Sequence, residues 1–243
     1  KALYTSLNGM MISAYLKAYR VLQDETIRDL ALKSLGRILE INAADDRLYH
    51  SEGVKALLDD YVYLIDALIS AYEVTGDAAY LEKAQRFMDR CIELFRDEDK
   101  GGFFDTDEEV IGTRLKGVED IPRPSANALA IMILIKLSLM TGDDGYRRVA
   151  ERSLKLFSHQ AQIIGLHAGY YFCAVDAFFH ALKFDISVPP ASPLAAEALR
   201  EFYPYTVIRY GGDSGNIIPC VGSTCYDPID NADGLRKLFQ TLR

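Results

Sequence analysis

A short segment that recurs along the chain constrains the fold more than any other feature of the sequence. Residues 18–24 (AYRVLQD) return as residues 71–77 (AYEVTGD), and the Thr-Gly-Asp end of the second copy returns at residues 141–143. Each copy follows an apolar stretch and precedes a stretch whose apolar residues fall at helical spacing. The repeating unit is therefore predicted to be a helical hairpin.

The two helices of each predicted hairpin differ in their apolar pattern. After the first turn, Ile27, Leu35 and Ile38 fall at helical spacing with charged residues between them, so that helix has one solvated face. The helices before the turns, around residues 10–16 and 128–134, are apolar nearly all round and are predicted to be buried on every side. This alternation predicts an inner ring wrapped by an outer ring, an (α/α) toroid. A flat helical solenoid is the competing interpretation.

The pattern changes near residue 183. A fourth, weaker copy of the hairpin pattern at residues 170–182 precedes it, and four hairpins would form an incomplete ring of six. Beyond it, β-branched runs alternate with helical spacing, which predicts a βαβ unit with one further strand and helix. The predicted strands are 184–188, 205–210 and 217–221, and the predicted helices are 194–202 and 232–242. We therefore predict an all-α toroid over residues 1–183 and a small α/β appendix over residues 184–243.

Composition and charge exclude several classes of partner. The net charge of -8, with no cluster of Lys or Arg beyond short pairs, disfavours nucleic acid and acidic membrane surfaces. The longest apolar run, residues 128–135, ends at Lys136 and is far shorter than the roughly 20 residues that span a bilayer. The first residues lack the pattern of a secretory signal and enter a helical pattern almost at once, so we expect the chain to be cut from a longer protein.

Cysteine and histidine usage favours neither a disulfide framework nor a metal site. The four cysteines are few and scattered, which favours a reducing cytoplasm. Cys91 falls on an apolar helix face, and Cys220 and Cys225, separated by five positions, are expected to be reduced structural thiols, with a redox role as the alternative. The four histidines lack HxxxH or HExxH spacing, and no nucleotide-binding loop is present. We expect no metal and no cofactor.

The unequal connections between helices predict where a ligand binds. Turns within hairpins are tight, whereas the links at residues 42–57 and 97–124 are long and carry Gly, Pro, charged and aromatic residues. Because the inner helices run parallel, their N-termini and the long links are predicted to meet at one rim. Polar residues there exceed what N-capping needs, although simple capping is the alternative interpretation. The predicted substrate-binding residues are Asn8, Tyr61, Phe104, Arg114, Lys116, Ser125 and Asn127.

Carboxylates at the same rim are the candidates for acid or base chemistry. Asp60 and Asp59 open the second inner helix, and Asp120 lies in the second long link. Glycoside hydrolysis needs two carboxylates on opposite sides of the scissile bond, so a partner has to come from Asp120, Glu119 or Asp105. The predicted catalytic set is Asp60, Asp59 and Asp120.

Several strings together resemble a known family. They are residues 5–14 (TSLNGMMISA), 58–61 (LDDY), 101–106 (GGFFDT), 114–116 (RLK) before 124–127 (PSAN), and the late segment 220–228. They resemble the C-terminal region of the spermatogenesis-associated proteins, which join a thioredoxin-like domain to a six-hairpin glycosidase-like toroid. The resemblance spans nearly the whole chain and implies a toroid similar to glycoside hydrolases and epimerases. Leu7 and Leu115 depart from the family, which has Trp and Pro there.

Two functional hypotheses follow from different classes. The first is a carbohydrate-active or carbohydrate-binding toroid, glycosidase-like or epimerase-like if catalytic, whose partner is a sugar-like small molecule. The second is a non-catalytic scaffold that supports a thioredoxin-like domain of the same full-length protein, with Cys220 and Cys225 as a redox partner. An isolated fragment without a function of its own is a third interpretation.

Overall fold

The computed structural model describes residues 2–110 and 112–242. Three helical hairpins come first: α1 (Thr5–Leu22) with α2 (Glu25–Asn42), α3 (Leu58–Thr75) with α4 (Ala78–Phe95), and α5 (Ala126–Thr141) with α6 (Asp144–Ile164). A 3-10 turn at Gly165–Ala168 leads into α7 (Gly169–His180). The fourth repeat is therefore only an inner helix, because a strand follows α7 where an outer helix was expected.

The recurring turn has the same structure in each hairpin. Gln23, Gly76 and Gly142 adopt left-handed backbone angles and end α1, α3 and α5, each donating its N–H to the carbonyl four residues earlier. The aspartate that follows then accepts a hydrogen bond from the first turn of the next helix. The Thr-Gly-Asp string thus joins a C-terminal glycine cap to an N-terminal aspartate cap, which reverses the chain within a few residues.

The odd-numbered helices form the inner layer. α1 packs against α3, α3 against α5 and α5 against α7, while α2, α4 and α6 pack on the outside of their partners. α3 and α5 are buried almost all round, as predicted. The same prediction is wrong for α1, where Leu7 and Met11 are 48% and 53% exposed. The reason is that α1 packs against the inner helix α3 on one side only.

The first long link carries a small sheet that the sequence pattern did not predict. Its strands are β1 (Ala43–Ala44), β2 (Arg47–Ser51) and β3 (Val54–Lys55), paired antiparallel in that order. Leu48 of β2 is buried in the core of the hairpins. The sheet covers the N-terminal end of the first two inner helices.

The C-terminal region forms the predicted βαβ unit. β4 (Leu182–Ile186) pairs parallel with β5 (Thr206–Tyr210), and α8 (Pro193–Arg200) connects them. β6 (Ile217–Val221) pairs antiparallel with β4, and β7 (Thr224–Cys225) and α9 (Ala232–Leu242) complete the chain. The first strand begins two residues earlier than predicted.

Apolar residues form two clusters, one within the hairpins and one between the sheet and helices α8 and α9. The appendix is attached to the C-terminal end of the inner helices. Arg20 Nε donates to Leu199 O at 3.1 Å, and the Tyr210 hydroxyl donates to Glu73 O at 3.0 Å. The rim formed by the helix N-termini is therefore covered by the long links and not by the appendix. The division into units 1–183 and 184–243 remains a proposal.

Candidate functional site

Two of the three predicted catalytic carboxylates bind backbone groups at the start of inner helices. Asp60 is fully buried, and it accepts hydrogen bonds from Ser6 N at 3.0 Å and Leu57 N at 2.9 Å. His50 Nδ1 lies 3.0 Å from the same carboxylate. Asp60 therefore joins the start of α1 to the start of α3. It does not line the cavity of this rim, contrary to expectation.

Asp120 joins the starts of the next two inner helices in the same manner. Its two oxygens accept from Ser125 N and Tyr170 N, both at 2.8 Å, which ties the start of α5 to the start of α7. A carboxylate that satisfies the unpaired N–H groups of two helices also interacts favourably with both helix dipoles. Asp60 and Asp120 thus hold neighbouring inner helices together.

The amide and phenol groups predicted to surround one hollow do not meet. Asn127 is fully buried, and its amide binds Phe103 N, Phe103 O and Gly117 O at 2.7–3.0 Å. The Tyr61 hydroxyl accepts from Leu48 N at 3.2 Å and lines a different cavity of about 260 Å³. Asn8 donates to Tyr4 O of its own helix start. Each of these three side chains therefore satisfies backbone groups, and the three do not line one shared cavity.

Three predicted binding residues of the second link form one cluster. Arg114 lies over the Phe104 ring at 4.2 Å and donates to Thr106 O and Leu94 O. Lys116 lies 4.9 Å from the same ring and binds Asp97 and Gly101 O. The cluster fixes the path of the link, with Phe104 between two cations.

The rim does contain a cavity, of about 370 Å³, between the starts of α3 and α5 and the second link. Of the predicted residues, Asp59 and Ser125 line it, and Ser125 also caps α5 through Ala128 N. Two carboxylates that were expected only as possible partners, Asp105 and Glu119, line it as well, with Arg123. The cavity therefore brings three carboxylates and one guanidinium together.

Backbone hydrogen bonds place Asp105 beside Asp59. Leu58 N donates to Asp105 O at 3.1 Å, and Asp105 N donates to Leu115 O at 2.8 Å. The segment after Phe103 therefore runs against the first turn of α3. Because Asp59 is in that turn, the two carboxylates share one wall of the cavity.

The three carboxylates have different surroundings. Partial enclosure in the cavity, together with the neighbouring charges of Asp59 and Glu119, raises the pKa of Asp105 to about 6, although its accessible surface makes it an exposed residue. Burial also raises the pKa of Asp59, but the Arg123 guanidinium, which binds this carboxylate, opposes that rise. Glu119 accepts from Gln160 Nε2 at 2.9 Å. Asp105 is thus a cavity carboxyl whose pKa lies close to neutral pH.

A polar stripe on α3 was missed by the sequence-based predictions. Asp59, Tyr63, Asp66, Ser70 and Glu73 follow each other at spacings of three or four, so they share one helix face. Asp66 and Glu73 are 7% and 1% exposed. Polar residues at helical spacing within an otherwise apolar helix were the signal available in the sequence.

The cysteines differ from expectation in one respect. A disulfide joins Cys220 and Cys225, directly opposite each other on β6 and β7, so these are not two reduced thiols. The hairpin register brings their Cα atoms to 4.0 Å, which the spacing of five positions did not reveal. Cys91 is a buried free thiol, as predicted, and burial raises its pKa.

Two kinds of feature are missing from the described part of the molecule. Within residues 2–110 and 112–242, no group of three or more His, Cys, Asp or Glu side chains is arranged to hold a metal ion. In the same two ranges, no helix combines the length and the apolarity needed to cross a membrane.

Comparison with known proteins places these features in a family. Residues 2–165 match the model described as the β-L-arabinofuranosidase GH127 catalytic domain. Human spermatogenesis-associated protein 20 is 29% identical over 153 residues, which are 56% of this chain and 20% of that protein. The resemblance predicted from the sequence strings is thereby confirmed. The match spans only about a fifth of that relative's length.

Solved structures show the same helical architecture. A GH76 α-mannanase of Bacteroides thetaiotaomicron superposes with a TM-score of 0.58 at 17% identity, covering 71% of this chain and 51% of that one. A cellobiose 2-epimerase of Bacillus thermoamylovorans gives a TM-score of 0.52 at 16% identity, covering 64% and 44%. These neighbours are glycosidases and epimerases of the (α/α) toroid type, and the likeness at this identity concerns the fold.

Proposed function

The chain belongs to the β-L-arabinofuranosidase GH127 catalytic-domain family, and from this membership we propose that it binds or cleaves a carbohydrate at the rim cavity around Asp59 and Asp105. The glycosidase-like fold supports a function related to carbohydrates. The observation that carries the more specific proposal is the pair of carboxyl groups in one cavity, of which Asp105 has a pKa of about 6.

Hydrolysis of a glycosidic bond suits such a pair. One carboxyl group must be protonated in order to donate its proton to the departing oxygen, while the other is ionised. Asp105 fits the acid, because burial and two neighbouring carboxylates favour its protonated form. Asp59 fits the ionised partner, because Arg123 binds it and opposes the rise in its pKa that burial causes. In this assignment, Asp59 stabilises the developing positive charge on the sugar or activates a water molecule.

The other cavity residues suit recognition of hydroxyl groups. Arg123 contributes donors, and its guanidinium carbon lies 5.5 Å from the Tyr63 ring centroid. The Tyr63 hydroxyl donates to Pro124 O at 2.6 Å, so the ring is fixed beside the cavity. Fixed donors and acceptors around a concave site are what a polar ligand needs for orientation.

The test is binding and hydrolysis of β-L-arabinofuranosides by the wild type and two variants. Asp105→Asn and Asp59→Asn are expected to lower turnover about a hundredfold or more, since each removes a group that acts in proton transfer or charge stabilisation. Asp29→Asn, a surface change on α2, is the control. Unchanged binding and turnover in both cavity variants would refute the assignment, and an absence of binding to any glycoside would refute the carbohydrate function.

A second candidate function is support of a thioredoxin-like domain. The disulfide between Cys220 and Cys225 favours it, because Cys225 is exposed at the end of a hairpin. In this proposal, a dithiol attacks Cys225 Sγ, Cys220 leaves as a thiolate, and the mixed disulfide is then resolved by the second thiol of the dithiol. Incubation with reduced thioredoxin followed by a thiol count tests it: two additional protein thiols support it, and an unreacted disulfide contradicts it.

A further inference from the structure

A further cavity, of about 480 Å³, lies between the inner helices and residues 199–206 of the appendix. None of its wall residues is shared with the rim cavity. Its charged wall residues come from α1, α3, α5 and the C-terminal segment. They are Lys17, Arg20, Asp66, Lys136, Arg200 and Glu201.

The charges around this cavity leave an excess of one positive charge. Glu73, 1% exposed, lies behind the wall between Arg20 at 3.4 Å and Lys136 at 3.2 Å, so one carboxylate faces two cations. Lys17 lies 3.5 Å from Asp66, which makes one further pair. Arg200 and Glu201 offset each other in formal charge. The extra positive charge lies on the side of the cavity that solvent reaches, because Lys17 is 57% exposed.

The surroundings of Asp66 also indicate an excess of positive charge. Burial by itself would raise the pKa of this carboxyl, but the charges of Lys17 and Lys136 outweigh burial and lower it. Lys17 and Lys136 therefore produce a positive potential at the position of Asp66, which is 7% exposed. An anion at this wall experiences the same two cations, together with the charge of Asp66.

Lys17 is the most exposed of the three wall cations on the inner helices. Its side chain is 57% exposed, and its contact with Asp66 is at the long end for an ion pair. An ammonium group on a flexible stem can turn toward a ligand at little cost. Tyr170, Tyr203 and Tyr205 line the same cavity and offer rings and hydroxyl groups to a sugar-sized molecule.

We propose that this cavity binds the anionic group of a small molecule that also carries hydroxyl groups, either a sugar carboxylate or a sugar phosphate. Lys17, Arg20 and Lys136 bind the anion, and the tyrosines contact the remainder. The rim cavity, with three carboxylates and one cation, does not suit such a ligand. The two sites therefore differ in the charge of the ligand that they accept.

Calorimetry with four probes tests the class of ligand. The protein is titrated with glucuronate, glucose 6-phosphate, inorganic phosphate and glucose at low and high salt. Glucuronate or glucose 6-phosphate, or both, are expected to bind at least about tenfold more tightly than glucose, since a hydrogen bond to a charged group is worth that factor or more. Their affinity should fall with added salt. Equal binding of glucose and the sugar anions, or inorganic phosphate binding as tightly as the sugar anions, would overturn the proposal.

Four variants locate the site. Lys17→Gln is expected to weaken binding of the sugar anion roughly tenfold, and Asp66→Asn to strengthen it about threefold, because it removes a competing negative charge. Lys155→Gln, a change at a 74% exposed lysine of α6, and Asp105→Asn at the rim should leave it unchanged.

Two outcomes contradict the location. If Lys17→Gln and Lys155→Gln bind the sugar anion with equal affinity, the interior cavity is excluded as its site. If Asp105→Asn no longer binds the sugar anion, its site is the rim cavity. The rim is tested separately with a neutral arabinofuranoside, so failure of one site does not affect the other. If Asp66→Asn fails to fold, the comparison of Lys17 with Lys155 remains decisive.

Discussion

Asp59 and Asp60 are adjacent in the sequence but lie in different surroundings. Asp59 lines the rim cavity and pairs with Arg123, whereas Asp60 is fully buried and binds the backbone N–H groups of Ser6 and Leu57. Consecutive residues of a helix point about 100° apart, so one turn of α3 supplies both a group that lines the cavity and a group that holds two helices together.

This difference predicts opposite phenotypes for the two aspartates. Asp60→Asn should lower the free energy of unfolding by about 2–4 kcal/mol, because a buried carboxylate loses charge-assisted hydrogen bonds to two helix starts. Asp59→Asn should change the free energy of unfolding less than Asp60→Asn does. It should weaken ligand binding more than Asp60→Asn does. Urea unfolding of both variants measures the first effect. A stable Asp60→Asn variant that no longer binds sugar would show instead that Asp60 is the functional group.

The raised pKa of Asp105 predicts that Asp105→Asn becomes more stable relative to the wild type as pH rises. Its pKa is about 6 in the folded protein against an ordinary value of 3.8, so the folded state holds the proton more tightly. The wild type therefore loses stability relative to Asp105→Asn as pH rises from about 4 to about 7, and the difference is constant above that window. Thermal unfolding of both proteins across this range measures it, with Asp29→Asn as a correction for net charge. A difference independent of pH would contradict the assignment.

The close packing of α1 on α3 depends on Gly9. A Cβ atom at this position would lie 2.7 Å from both atoms of the Tyr63 carbonyl group, so Gly9→Ala should destabilise the protein by about 1–3 kcal/mol. Gly36→Ala on the exposed face of α2 meets nothing within 4 Å and should stabilise it by about 0.5–1 kcal/mol. Chemical unfolding of Gly9→Ala and Gly36→Ala measures the expected loss of stability in the first variant and the expected gain in the second. Equal effects would show that the two helices do not approach so closely.

The disulfide between Cys220 and Cys225 should contribute at most about 2 kcal/mol to the free energy of unfolding. It closes a ring of only six residues, for which the loop-entropy relation gives about 2 kcal/mol, and backbone hydrogen bonds of the hairpin already limit the conformations there. Unfolding with and without reductant, with mass spectrometry to confirm the redox state, measures the difference. Loss of the folded state on reduction would contradict this expectation.

The sequence predicted the helical hairpins and the βαβ appendix because local signals agree with the fold there. Each Thr-Gly-Asp string contains both caps of a tight turn, and the β-branched runs at β4 and β5 flank a helix with its own N-cap, Ser192. The hairpin disulfide was not foreseen, because the register of β6 and β7 depends on the turn around Gly222.

The site was predicted less well, for a physical reason. A polar residue at a helix start can face a ligand or satisfy backbone N–H groups of the neighbouring helix, and the sequence does not distinguish the two. Asp60 and Asp120 satisfy such groups, and Asn127 binds backbone groups of the second long link, while Asp59 and Asp105 line the cavity. The distinction depends on the path of the second long link, which only the three-dimensional structure shows.

The most direct test of sugar binding at the rim cavity between α3, α5 and the second link is a heteronuclear NMR titration of the protein with a β-L-arabinofuranoside. We expect the largest shifts at Asp59, Asp105 and Arg123, and we expect these shifts to be lost in Asp105→Asn. Shifts confined to other regions of the protein, or none at saturating sugar, would contradict it.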